Sequence, residues 1–361
     1  MFSYYITNNF FIFTILSFFL SVLVIKYFLI DFKNFTFKKN QNRWGDSNKS
    51  HFGGVVFTIC SISCLIYLFV GSNFYFLISN PNLNYILGLL VVIFFTSAVG
   101  ILDERRNLKP LTKLLLQIVT SLIIISFDYI IPVTNNLLID SLITIFWLTF
   151  LINAINMFDN VDLAAGLFCL INFILLIIIS LKQPSNYEFT IICSVYIGSI
   201  IAFLSYNYYP SKIFMGDIGS FQLASVLGAL SIKLIWIDQA VDYEIISYKF
   251  IYNILANNLM FILVFLDVLF VFTLRINSGV SPFSGDTNHF SHSLIKQLNS
   301  PNKSALVIAM ITIICCSIYL YMSNQLSDNY VNKFAIISLF YISITTIILK
   351  IYLNGINLKN R

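Results

Sequence analysis

The sequence predicts an all-α, polytopic membrane bundle, and three observations predict it. Of the 361 residues, 58% are hydrophobic and only 10% are charged, whereas a soluble chain carries roughly 25% charged residues. The hydrophobic residues gather into runs of about 20, the length that crosses a hydrocarbon core as a helix. The 21 lysines and arginines fall mainly in alternate loops between those runs, the asymmetry that orients membrane helices. With no repeat of 20–50 residues and no low-complexity tract, residues 1–361 read as one transmembrane domain. A nucleic-acid partner is not expected.

Eleven runs justify eleven spans. The first, 10–30, lacks a basic start and a small-residue cleavage site, so it reads as a spanning helix rather than a leader. The second, 53–72, opens on Gly53-Gly54, a pair that lets backbones approach closely. The third, 83–102, ends on Asp103 and Glu104. The fourth, 111–128, follows Pro110, which suits a first helical turn. Asp128, Pro132 and Asp140 part it from the fifth, 137–153. The sixth to eighth are 163–181, 189–207 and 219–237. The ninth, 251–274, contains Asp267. A buried acid there costs about 2.5–3.5 kcal/mol on insertion scales, so Asp267 is expected to face the bundle interior and to pair with Arg275. The tenth and eleventh are 304–323 and 333–353.

Basic residues set the orientation. Loop 31–52 (Lys33, Lys38, Lys39, Arg43, Lys49), segment 103–113 (Arg105, Arg106, Lys109, Lys113), Lys212, loop 275–303 and the C-terminus share one side, while Lys182, Lys249 and Lys333 lie on the other. The N-terminus is therefore expected outside and the C-terminus in the cytoplasm. All three histidines, His51, His289 and His292, and the polar stretches below then fall on the cytoplasmic face, and the opposite loops are expected to hold no comparable cluster. A transporter would place its polar groups near mid-membrane. One-sided placement favours an enzyme that takes a soluble substrate from the cytoplasm and a lipid from the bilayer. The six cysteines all sit in apolar runs and read as small hydrophobes rather than metal or redox pairs.

Four polar stretches carry the chemistry. Residues 100–117, GILDERRNLKPLTKLLLQ, place Asp103 and Glu104 before four cations ending at Lys113, a set suited to Mg²⁺ and phosphate. Residues 153–162, NAINMFDNVD, place Asn153, Asn156, Asp159 and Asp162 where the chain leaves an apolar run. Spacings of three put Asn156 and Asp159 on one helical face. Residues 214–220, FMGDIGS, set Asp217 between two glycines beside Phe214, a ring able to stack on a flat base. Residues 281–294, SPFSGDTNHFSHSL, space Asp286, His289 and His292 by threes. Zinc is the alternative reading of that last group, though no Cys flanks it.

In this order the motifs resemble the polyprenyl-phosphate N-acetylhexosamine-1-phosphate transferases of glycosyltransferase family 4: GG, then an acid pair with KPxxKLxxQ, NxxNxxDxxD with LAxG, FMGDxGS, and SPF with HxxHxL. The likeness covers nearly the whole chain and looks closer to the WecA-like than to the MraY-like branch, whose run of adjacent histidines is absent. It implies transfer of a sugar-1-phosphate from a UDP-N-acetylhexosamine to polyprenyl phosphate, with release of UMP, using Mg²⁺ or Mn²⁺. It further implies a bacterial inner membrane, an active site facing the cytoplasm, and initiation of a surface polysaccharide such as O-antigen; a homodimer stays open. The resemblance gives Asp217 the metal, helped by Asn156. It gives Asp103, with Glu104 beside it, the acceptor phosphate. Asp159, Asp162 and Phe214 go to the nucleotide, and Lys113, Arg275, His289 and His292 to phosphates or sugar. Two departures stand out: Glu104 replaces the usual second Asp, and DNVDLAAG lacks the glycine that follows the second Asp in the family's DGxDGLAxG. That missing residue is expected to shift the helix start and leaves the role of Asp162 open. A catalytically inactive relative and a transporter of lipid-linked sugars remain alternatives.

Overall fold

The computed structural model describes residues 2–30, 50–71, 80–134, 136–238, 248–281, 288–324 and 330–357. Residues 31–49 of the basic 31–52 loop, Asp286 and Asp328 lie outside the described residues. The described chain is helical without named strands; one parallel bridge joins Ser50 to Ile213.

The α-helices, in order, are α1 (Phe2–Val24, continued by a π-helical turn Ile25–Ile30), α2 (Val55–Gly71), α3 (Leu83–Arg106), α4 (Pro110–Ile125), α5 (Leu137–Phe158), α6 (Ala164–Ser180) and α7 (Tyr187–Asn207). There follow α8 (Gly216–Ser231, continued by a π-helical turn Ile232–Ile237), α9 (Tyr248–Asn258), α10 (Ile262–Asn277), α11 (Phe290–Leu298), α12 (Pro301–Asn324) and α13 (Tyr330–Asn357). Each of the eleven apolar runs is helical. Eight helical stretches are long and apolar enough to cross a membrane; Val55–Phe69, Pro110–Ile125 and Ala164–Ser180 are apolar but shorter.

The bundle is organised around α8, which with its π-helical continuation is buried from Gly216 to Trp236. Gly216, Ser220, Ala224 and Gly228 recur every fourth residue, a stripe of small side chains that lets neighbouring helices come close in an apolar solvent. Helices α2, α3, α5 and α6 pack on it. Thr58 of α2 donates to Gln222 Oε1 at 2.7 Å, and Gln222 donates to Tyr196 of α7 at 3.0 Å. Such amide and hydroxyl bonds satisfy polar groups that lipid cannot. The outward faces carry exposed Phe11, Ile15, Leu115, Leu122, Phe146 and Ile313. In water such a surface would be a liability; for an all-α, polytopic membrane protein it is the lipid face.

Polar clusters occupy both ends of the bundle, which corrects the expectation of a bare opposite face. At the end where α3 begins, Lys233 pairs with Asp238 at 2.6 Å and lies 4.6 Å from the Tyr85 ring centroid. Asn186 donates to Asp238 at 2.9 Å, Asn80 and Asn82 donate to Glu188, and Asn84 donates to Asp128. At the far end of α3, about 30 Å away at 1.5 Å per residue, lie Asp103 and Glu104.

Candidate active site

Asp217 is the point of convergence at that second end. Its Oδ2 lies 3.3 Å from the ammonium of Lys113, and the same ammonium ion-pairs with Asp103. Asn156 donates through Nδ2 to Asp217 Oδ1 at 2.9 Å and to Ser220 Oγ at 2.7 Å. The backbone N–H of Asp217, in the first turn of α8, donates to Glu104 Oε1 at 3.0 Å. Four helices thus deliver one residue or pair each: the end of α3, the start of α4, the end of α5 and the start of α8. A carboxylate at a helix start is favoured by the unpaired N–H groups and the positive end of the helix dipole.

Local sequence explains the alignment. After α3 the chain reverses through Asn107 in the left-handed region (φ 46°), and Leu108 N–H donates to Asp103 Oδ1 at 2.9 Å. Pro110 then opens α4 and brings Lys113 back over Asp103. On the other side, Gly53 and Gly54 N–H groups donate to the carbonyls of Phe214 and Met215 at 3.0 and 2.9 Å. A Cβ on Gly54 would stand 2.1 Å from Gly219 N, so the pair is a seat for the start of α8. Gly216 has φ +70°, and a Cβ there would meet His51 O at 2.0 Å; only glycine fits both demands.

A pocket opens beside Phe214, with about 370 Å³ of empty volume including its mouth. Asp159, Asp162, Phe214, Asn207, Tyr209 and Ile295 line it. The structure therefore brings Asp159, Asp162 and Phe214 together, and Phe214 stands three residues before Asp217 in the chain. It does not keep Asn156 and Asp159 on one helical face, as the spacing suggested: α5 ends at Phe158, Asp159 is its C-cap, and the chain turns away. Asn156 serves the Asp217 cluster, while Asp159 and Asp162 serve the pocket. The absent glycine after Asp162 is answered by Leu163, which itself takes the left-handed conformation (φ 68°) directly before α6.

The histidine segment differs from expectation. Helix α11 starts at Phe290, so His289 is its N-cap residue and only His292 is on the helix; their ring centroids are 6.5 Å apart. His292 stands one turn before Ile295, which carries this segment to the pocket rim. Asp267 is fully buried as expected, but its partners are His289 Nδ1 at 2.7 Å, Phe290 N–H at 2.7 Å and the Tyr352 hydroxyl, in place of Arg275. Arg275 lies eight residues on, more than two turns along α10, where it is buried in the last turn.

Sequence reasoning missed Asn207. Its Oδ1 accepts from Leu163 N–H at 2.8 Å and its Nδ2 donates to Ile213 O at 2.8 Å, tying the pocket's two loops together. The only signal was a lone amide at the end of an apolar run. Ser220, which orients Asn156, stood inside the FMGDIGS motif but had been given no role.

Fold and site define a polytopic all-α membrane protein with carboxylates, a lysine and amides converging at one end of the bundle. The family model described as Glycosyl transferase family 4 matches residues 86–235, from α3 through α8. A protein of Dictyoglomus turgidum is 33% identical over 249 residues, 62% of this chain and 74% of the relative; one of Prochlorococcus marinus is 32% identical over 259 residues, 63% and 70%. A Streptococcus uberis protein is 29% identical over 201 residues, 50% and 58%. All three bear the name phospho-N-acetylmuramoyl-pentapeptide-transferase. The chain belongs to glycosyl transferase family 4. It spans 48% to 58% of the length of the streptococcal relatives.

Proposed function

We propose that the protein transfers a sugar-1-phosphate from a UDP-sugar to a polyprenyl phosphate, releasing UMP. The observation that carries this is the shared ammonium: Lys113 holds Asp103 and Asp217 together beside a pocket edged by Asp159, Asp162 and Phe214. Both substrates are anionic, and two like charges 4 Å apart repel by roughly 4 kcal/mol at an effective dielectric of 20. A site for this reaction must first control charge, and a partly exposed ammonium between carboxylates is a device for that.

The donor set suits Mg²⁺ or Mn²⁺ rather than zinc. Mg²⁺ is held by one or two carboxylates and keeps waters or phosphate oxygens elsewhere, and Asp217 with Asp103 supplies such a pair. Among the described residues no three His, Cys, Asp or Glu side chains form a cage. Bound there, the ion would neutralise phosphate charge. Asn156 turns its amide N–H₂ toward Asp217, so its part is to orient that carboxylate rather than to ligate through nitrogen. Lys113 stabilises charge on the departing UMP. Phe214 offers its ring to the uracil, and Asp159 and Asp162 offer acceptors to the nucleoside. Arg275, His289 and His292 take the sugar or the phosphates.

We favour direct in-line attack by the lipid phosphate over a covalent aspartyl intermediate. Phosphate monoesters are largely ionised at neutral pH, so little deprotonation is needed. Both oxygens of Asp103 are engaged, one by Leu108 N–H and one by Lys113, which blunts it as a nucleophile. The donor sugar is an N-acetylhexosamine in this reading, and the product would initiate a surface polysaccharide such as O-antigen at the cytoplasmic face of a bacterial inner membrane. The relatives' names favour a second donor, UDP-N-acetylmuramoyl-pentapeptide. Against it, the positions between the two histidines hold Phe290 and Ser291, both fully buried, so no run of imidazoles is presented.

The test is UMP release by the full chain in lipid nanodiscs with undecaprenyl phosphate, Mg²⁺ and a panel of UDP-N-acetylhexosamines plus the muramoyl-pentapeptide donor. UMP is expected with a simple hexosamine donor and only with lipid present. Release with the pentapeptide donor alone would reassign the branch; no release with any donor would leave an inactive relative.

A further inference from the structure

Asp267 has no role in the chemistry above, yet both of its carboxylate oxygens are engaged by partners from outside its own helix. It is fully buried within α10. Oδ2 lies 2.7 Å from His289 Nδ1, and Oδ1 accepts from Phe290 N–H at 2.7 Å and from the Tyr352 hydroxyl of α13. His289 is the N-cap of α11 but makes no capping bond with its own side chain. Asp267 supplies that cap from another helix, and with the same carboxylate grips the ring.

We propose that Asp267 is a positioning residue for His289. It fixes the imidazole with hydrogen on Nδ1 and turns Nε2 away from α10, as an acceptor or donor for the sugar-phosphate substrate. This rests on the reading of His289 as a substrate contact given above. A carboxylate can only accept, so the ring nitrogen facing it must carry the hydrogen. The Phe290 bond holds the backbone one residue on, and Tyr352 holds the carboxylate, so neither ring plane nor tautomer is left free. A carboxylate buried in a membrane span is costly unless fully partnered, and plain capping would need only the Phe290 bond.

Asp267→Asn tests this. Its carbonyl can still accept from Phe290 and Tyr352, but its amide N–H₂ would face His289 and drive the hydrogen from Nδ1 to Nε2. With ¹⁵N-histidine in the full chain, only three histidines contribute, and His289→Gln assigns the signal. Expected are hydrogen on Nδ1 in the wild type, its loss in Asp267→Asn, and a fall in kcat of roughly tenfold to a hundredfold with KM for the UDP-sugar little changed. In the His289→Gln background, Asp267→Asn should cost nothing further. A wild-type ring without hydrogen on Nδ1, unchanged kcat in Asp267→Asn, or additive losses in the double variant would each overturn the proposal. Should Asp267→Asn fail to fold, the wild-type tautomer decides. If the wild type releases no UMP, the transferase reading fails while the tautomer still judges the dyad.

Discussion

At one end of the bundle Lys233 gives its ammonium to a single carboxylate, Asp238, at 2.6 Å; at the other, Lys113 divides its own between Asp103 and Asp217. The first pair is closed: both side chains are about one-tenth exposed, Asn186 completes Asp238, and Tyr85 faces the ammonium. In the second the carboxylates are as deeply buried, but the ammonium of Lys113 is about one-quarter exposed. The same residue types therefore serve opposite ends. One-to-one pairing with aromatic cover locks three chain segments together. A shared ammonium at an open mouth leaves carboxylates ready for a cation or phosphates to rearrange.

Paired substitutions can break this comparison. The largest effect is expected from Asp217→Asn, which should lower kcat by roughly a thousandfold while the thermal melt of the purified protein moves little. Asp238→Asn should do the reverse, keeping kcat within about twofold and costing roughly 1–3 kcal/mol for a buried lysine left without its anion. Similar activity losses from both would erase the distinction between the ends. Next comes Lys113→Ala, expected to lower kcat/KM for the UDP-sugar by roughly a hundredfold. Lys233→Ala should act on the melting temperature alone. Equal effects of these two on UMP release would contradict the assignment of the open end.

Glu104 sharpens the comparison on a smaller scale. Its extra methylene is used, since Oε1 reaches the N–H of Asp217 in the first turn of α8. Removing such a cap costs about 0.5–2 kcal/mol. Glu104→Ala should lower the melting temperature by a few degrees and kcat by roughly tenfold, and Glu104→Gln, which keeps the acceptor, should restore most of both. Failure of the Gln variant to restore activity would mean that the charge of Glu104, not its reach, is what matters.

The fold was legible because hydropathy is local: the apolar runs name helices without knowledge of any partner, although the ninth run divides into α9 and α10 and the short α11 lies in none of them. The acids of the candidate site were legible by type for the same reason, since Asp103, Asp159, Asp162 and Asp217 each interrupt an apolar run. Pairings were not. Asp267 was matched to Arg275 because both lie on one helix, whereas its partners come from 22 and 85 residues away. The closed end went unseen because it is assembled from single residues near 82, 128, 186 and 238, none of which forms a local motif. Asn207 escaped likewise: its value lies in joining residues 163 and 213.

The smallest expected effect concerns Leu163, which follows Asp162 directly because the glycine that the family pattern sets between them is missing. A leucine in the left-handed region costs about 1–2 kcal/mol, yet its side chain is buried, with 8% exposed, and burial of a leucine is worth about 1.5–3 kcal/mol. Leu163→Gly relieves the first and forfeits the second, so a net loss of about 1 kcal/mol is expected in the melt. The turn itself should persist, because Leu163 already holds the conformation a glycine would adopt and its N–H is fixed by Asn207. UMP release should therefore stay within about twofold of wild type. A gain of tenfold or more on introducing the glycine would show that the turn before α6 is strained out of its working geometry, and that this pocket is weaker than its acidic lining suggests.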